Sequence, residues 1–175
     1  SALYIKKGTH VEKFLHGGMQ ERDMRGGTEN IPAIAGFKRA VEMVNERLKE
    51  DVAHYLQLRE ILIQDLKYNF GEAVRFNSLA DIEMTLPNIL NFSFDKNRVE
   101  FDDEMLLILL DLKGIAISGG SACTSGTHKP SHVLLALGYD AKSALGAVRV
   151  SFGRENTLHD VEKFVAALKE IVKLK

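Results

Sequence analysis

The chain has 175 residues, 45% of them hydrophobic, which is enough apolar content for one core, or for one domain with a piece of another. Its net charge is −1, with lysines and arginines spread along the chain, so nothing favours nucleic acid or an anionic membrane as partner. A single cysteine excludes an intrachain disulfide, and no apolar run approaches the roughly 18 residues of a membrane span. The chain reads as soluble and cytoplasmic, with neither signal peptide nor membrane segment.

In chain order, residues 1–8 (SALYIKKG) alternate like a strand, with no initiator Met and no cap before them, and read as the middle of something longer. Residues 16–30 (HGGMQERDMRGGTEN) combine two Gly-Gly pairs with dense charge and no hydrophobic period, which makes a loop of special backbone conformation. Gly26-Gly27-Thr28 offers backbone N–H groups and a hydroxyl just before a helix beginning near Pro32, a set suited to gripping a phosphate. The same residues also fit a plain connection in which Thr28 or Asn30 caps the helix.

Ile34, Phe37, Val41, Val44 and Leu48 then recur at helical spacing. A second helical run, Val52 to Leu66, carries Leu56, Ile61, Ile63 and Leu66 and stops near Gly71. Both stripes read as core. Val74-Arg75-Phe76 and Asn88 to Phe94 are strands, the second with Leu90, Phe92 and Phe94 on its apolar face. Acids at 102–104 open an apolar helix, Met105 to Leu112, at the end where the helix dipole favours them, and Gly114 stops it.

Ile115 to Ser118 predicts a strand running into GSACTSG (120–126), where glycine and serine cannot pin a loop by packing. Cys123 at its centre is therefore a candidate thiol on a mobile arm, against the alternative that it is a small buried hydrophobe. A short helix follows with Pro130 in its first turn and Gly138 at its end. In the strand Ala147 to Phe152, Val148, Val150 and Phe152 take the packed side. Arg149 and Ser151 take the other, where Arg149 could hold a carboxylate or a neighbouring strand's acid. With Asn156-Thr157 as cap, Val161, Phe164, Val165, Leu168, Ile171 and Val172 define a closing helix. Helices alternating with three or four short strands indicate an α/β chain of the α+β kind, one short sheet packed with helices.

Four ordered segments carry a resemblance. HGGMQERDMRGGTEN (16–30), GGSACTSG (119–126), PSHVL (130–134) and VRVS (148–151), with Gly153 and Asn156-Thr157 beyond, are similar to the C-terminal part of the NifS/IscS-type cysteine desulfurases. The resemblance runs from Ser1 to Lys175. It implies a pyridoxal 5'-phosphate enzyme of the aminotransferase class V fold that takes sulfur from L-cysteine, leaves L-alanine, and carries the sulfur as a persulfide. It matches Cys123 to the persulfide-forming cysteine, Arg149 to the arginine on the substrate carboxylate, and Thr28 to the threonine reaching the cofactor phosphate of the partner subunit. A homodimer is therefore implied, with an iron–sulfur scaffold or another sulfur acceptor as protein partner. The domain division it implies is 1–31 as the tail of the cofactor domain, 32–70 as a helical connector, and 71–175 as the small domain with the cysteine loop.

The family's cofactor-binding lysine, the histidine near the pyridine ring and the aspartate on the ring nitrogen would all lie upstream of Ser1. The chain alone is expected to be inactive. Two other classes stand beside the enzyme. Cys123, His128 and His132 have ligand types a zinc site could use. A half-chain without the lysine could also serve as a non-catalytic sulfur carrier.

Overall fold

The computed structural model describes residues 2–78, 85–119 and 130–175. They fall into two compact units, Ser1–Leu48 and Lys49–Lys175.

In the first unit the expected strand at 2–8 is not formed. Leu3 and Tyr4 are exposed, and an extended segment without a partner strand leaves its backbone groups to water. The following loop is built on unusual backbone, as its composition requires. Within the short turn α1, Gln20–Asp23, Glu21, Arg22 and Asp23 hold φ of 51°, 59° and 66°. Lys13 spans the turn, pairing with Asp23 and donating to the Gly18 carbonyl at 3.3 Å. Gly26 closes the loop: its N–H donates to Leu15 at 2.7 Å, and a Cβ there would stand 2.8 Å from the Gly17 backbone. Only glycine permits that approach.

Helix α2, Ile31–Phe70, replaces the two predicted helices with one of 40 residues. No glycine or proline stands between Leu48 and Val52, so nothing interrupts the hydrogen-bond ladder. The two stripes meet different fates. Leu58, Leu62, Ile63, Leu66 and Phe70 are buried, whereas Leu56 is exposed and Ile61 half-buried, so the core face is rotated from the predicted one. The stripe of Ile34, Phe37, Val41, Val44 and Leu48, expected in the core, is exposed.

The second unit is an antiparallel sheet whose apolar face is covered by helices. Its strands are β1 (Val74–Phe76), β2 (Ile89–Phe94), β4 (Ser118–Gly119) and β5 (Ala147–Ser151), in the order β1-β2-β5-β4. A separate two-stranded ribbon joins β3 (Val99–Glu100) to β6 (Lys173–Leu174). Alternation along β2 and β5 sends Leu90, Phe92, Phe94, Val148 and Val150 inward. There they meet α2, α3 (Asp103–Leu112) and α6 (Leu158–Ile171) through Leu62, Leu110 and Leu168, each fully buried. The mixed helix and antiparallel sheet is the α+β arrangement expected.

Local signals place most of these boundaries. Asp102 caps α3 by accepting the Glu104 and Met105 N–H groups. Ser131 caps α4, His132–Ala136, so Pro130 stands before the helix and not in its first turn. Asp140 caps α5, Ala141–Leu145, which the sequence reading omits because five residues carry too little periodicity. The strand predicted over 115–118 pairs only at Ser118 and Gly119, opposite Arg149 and Val148. Below that point β5 and the chain at 115–117 border a cleft of about 290 Å³, lined by Ile115, Ile117, Val150, Phe152, Val161 and Phe164 among others.

Candidate functional site

The outward face of the sheet is polar, and its centre is Arg149. Cross-strand register sets Asn91 of β2, Arg149 of β5 and Ser118 of β4 in one row. Alternation puts their side chains on the side away from the apolar core, which follows from the period of two that buries Val148 and Val150. The Arg149 guanidinium is exposed. Its Nε donates to Ser118 Oγ at 3.0 Å, and Ser118 Oγ donates to the Arg149 carbonyl at 3.4 Å. Among the described residues no carboxylate pairs with Arg149, so the salt bridge that the sequence allowed is not formed there.

Around this row lies a hydrogen-bonded floor. Asn77 donates to Asn91 Oδ1 at 2.6 Å and to Ser93 Oγ at 2.8 Å, while the Asn91 N–H donates to Ser78 Oγ at 2.7 Å. Ser93 is buried, so its hydroxyl needs this partner. Further along, the Arg75 guanidinium lies 4.2 Å from the ring centre of Tyr139. At Arg149 the face thus offers a guanidinium whose terminal nitrogens make no hydrogen bond to a described residue, in a setting of fixed amides and hydroxyls. Chemically this suits a small carboxylate.

Two fastenings that sequence reasoning missed hold β5 and its surroundings in place. Arg154, just past β5, grips the buried Asp51 of α2 with Nε at 3.1 Å and Nη2 at 2.6 Å. The hydrogen bond to the Asp51 carboxylate raises the Arg154 pKa further above its usual value. Next to it a ring nitrogen of His54 stands 2.8 Å from the Asn156 carbonyl oxygen. The second fastening is Arg59, which is buried and donates to Ser78 O at 2.8 Å and Thr85 Oγ1 at 3.2 Å. Burial pulls its pKa down. Neither contact has a local signature, since Asp51 and Arg154 are 103 residues apart.

Thr28 belongs to the first unit. Its side chain is exposed, it follows Gly27 at φ +95°, and no hydrogen bond to a described residue engages it. Of the two candidate caps it is Asn30 that caps α2, its carbonyl and side-chain oxygens taking the Ile34 and Ala33 N–H groups at 3.0 Å. Those helix amides are thereby committed, and the anion-binding capacity of the segment rests on the Thr28 hydroxyl and the loop backbone. An exposed hydroxyl beside a left-handed glycine is a donor set that fits a phosphate group.

Cys123 and His128 lie outside the described residues. His132 is exposed on α4. No cluster of three His, Cys, Asp or Glu side chains able to hold a metal occurs among the described residues.

Comparison with known proteins gives a consistent picture. The profile of the aminotransferase class-V family matches residues 2–164. A cysteine desulfurase IscS of Clostridium botulinum is 40% identical over 172 residues, which is 98% of this chain and 42% of that protein. A cysteine desulfurase of Bradyrhizobium diazoefficiens is 43% identical over 171 residues, with the same coverage of each. Among solved structures, a NifS-like protein from Rickettsia africae superposes with a TM-score of 0.76 at 30% identity, covering 93% of this chain and 40% of that one. The chain thus spans about two fifths of the length of the relatives it matches.

Proposed function

The chain belongs to the aminotransferase class-V family, and we propose that it forms the C-terminal part of a cysteine desulfurase that converts L-cysteine to L-alanine and an enzyme-bound persulfide. The observation that carries this reading is the match of 98% of the chain, at 40% identity, to a protein named cysteine desulfurase. Arg149, exposed in mid-strand with no described carboxylate on it, supports it from the side of the substrate.

In this reading Arg149 binds the carboxylate of L-cysteine through two parallel N–H···O bonds and so fixes the substrate's orientation. The Cys123 thiolate attacks the substrate sulfur. An S–S bond forms as the substrate Cβ–S bond breaks, and the electron pair of that bond passes to the substrate carbon, which a proton then completes as alanine. The sulfur stays on Cys123 as a persulfide, ready for a second thiol. Thr28 donates its hydroxyl hydrogen to the phosphate of pyridoxal 5'-phosphate, in the manner of a partner subunit completing the site of a homodimer. The cofactor, when bound, supplies the electron sink that makes C–S cleavage possible.

The same reading divides the chain into a cofactor-domain tail at 1–31, a connector at 32–70 and a small domain at 71–175. It places the protein in the cytoplasm, with an iron–sulfur scaffold or another sulfur carrier as acceptor. No helix among the described residues is long and apolar enough to cross a membrane.

The test is Cys123→Ala in the complete protein. Sulfur transfer is abolished while the cofactor's absorbance persists, because the thiol is the nucleophile and does not hold the cofactor. Alanine and sulfide release at the parent rate would remove Cys123 from the reaction.

A further inference from the structure

Ser118 is tied to Arg149 twice. Its hydroxyl has one hydrogen and two lone pairs, and both capacities are used on the same residue: a lone pair takes the Nε hydrogen at 3.0 Å, and the hydrogen goes to the Arg149 carbonyl at 3.4 Å. The two residues are direct partners in the β4–β5 ladder, so the backbone fixes the hydroxyl opposite the arginine before any side chain is placed. The underside of β4 is equally constrained, since a Cβ on Gly119 would stand 3.1 Å from Leu107 of α3.

A guanidinium presents five N–H groups, one on Nε and two on each terminal nitrogen. A carboxylate can dock in two-pronged fashion on the edge that includes Nε or on the edge formed by the two terminal nitrogens. With Nε committed to Ser118, the first edge is occupied. Among the described residues nothing occupies the second, and it belongs to an exposed side chain that no described carboxylate neutralises.

We propose that Ser118 is a positioning residue for the desulfuration reaction: by occupying Arg149 Nε it selects end-on docking of the substrate carboxylate on the two terminal nitrogens. The inference rests on the reading of Arg149 as the carboxylate-binding residue. Without the serine the long side chain would sample several rotamers and both docking edges, and the substrate amino group and sulfur would no longer be presented in one orientation.

The experiment compares Ser118→Ala, Ser118→Thr and Arg149→Lys in the complete, cofactor-loaded enzyme. It reads KM and kcat for L-cysteine, together with the dissociation constant of L-alanine, a thiol-free carboxylate that binds without turnover. Removing the hydroxyl weakens L-alanine binding and raises KM by about tenfold, the size expected for loss of one hydrogen bond to a charged group, with a smaller change in kcat. Threonine restores the hydroxyl and keeps both constants near the parent's. Unchanged L-alanine binding in Ser118→Ala, or equal weakening in Ser118→Thr, overturns the proposal. If Arg149→Lys also leaves binding unchanged, the carboxylate role of Arg149 fails with it; if Arg149→Lys weakens binding and Ser118→Ala does not, only the role of Ser118 fails. A further measurement needs no variant. The Arg149 Nε–H of the parent exchanges with solvent more slowly than that of Arg39, an exposed arginine on α2, and equal exchange would refute the bond to Ser118 directly.

Discussion

Gly26 shows how much a single missing Cβ can decide. Its amide closes the loop onto Leu15 at 2.7 Å, and an added methyl would meet Gly17 backbone atoms and the His16 carbonyl carbon at 2.8 Å. No side-chain rotation relieves a clash between backbone atoms, so Gly26→Ala must move the segment that presents Thr28. Overpacking of this kind costs about 1–3 kcal/mol. On the proposal that Thr28 reaches the cofactor phosphate, the expected outcome is weaker retention of pyridoxal phosphate by the complete protein, read by equilibrium dialysis, with the second unit's melting little changed. Cofactor affinity equal to the parent's would show that the Gly26 turn does not hold Thr28 in place. The need for glycine at this loop was legible from composition alone; which glycine meets which backbone was not, because the contact joins residues nine apart without any periodic signal. Arg149 was legible for the opposite reason. A period of two with buried valines on either side leaves a mid-strand residue only one direction to face.

At the scale of elements the caps carried most of the information. The carboxylate of Asp160 accepts the Thr157 N–H at 2.8 Å and the Thr157 hydroxyl at 3.1 Å, which starts α6 at the residue the sequence indicated. The Thr157 backbone hydrogen bond holds the Asp160 carboxyl below its usual pKa of 3.8. The Lys113 ammonium likewise lowers Glu170, and the Ser143 hydroxyl lowers Asp140. A carboxyl whose folded pKa is depressed stabilises the fold above its unfolded pKa, and that contribution is lost as pH falls through the folded value. The melting temperature therefore declines on acidification below the ordinary carboxylate range. Asp160→Ala lowers it modestly at neutral pH and makes its acid decline shallower; an acid limb unchanged in slope would mean that Asp160 does not contribute to it. What the caps could not reveal was continuity and pairing. Two amphipathic runs without a breaker fused into one α2, and the apolar segment at 115–117 ended unpaired because strand pairing depends on where β5 lies, a property of the assembled sheet.

For the chain as a whole, α2 is the element whose two ends obey different physics. From Leu58 onward, one face is buried in the core with Leu62 and Leu66 at 0% exposure, and its backbone hydrogen bonds can open only when that packing is lost. From Ile31 to Leu48 every side chain except the half-buried Glu42 is exposed, including the apolar Ile34, Phe37, Val41, Val44 and Leu48. Those eighteen residues keep their helix by propensity, by the Asn30 cap and by pairs such as Lys38 with Glu42 at 3.6 Å, each worth only about 0.2–0.5 kcal/mol. Most helical stability in proteins comes from tertiary packing of one face, and among the described residues this segment has none. Amide exchange along α2 should therefore rise steeply towards its N-terminus, slow through Leu58–Phe70 and fast through Ile31–Leu48, although the helix is unbroken. Limited proteolysis should cut readily between Ile31 and Leu48, since every described residue of the hydrophobic core lies in the unit from Lys49 onward. Uniform slow exchange across the whole of α2 would show that the exposed stripe is covered in solution, and the surface burying Phe37 and Val44 would then have to be sought in a second copy of the chain or in another partner.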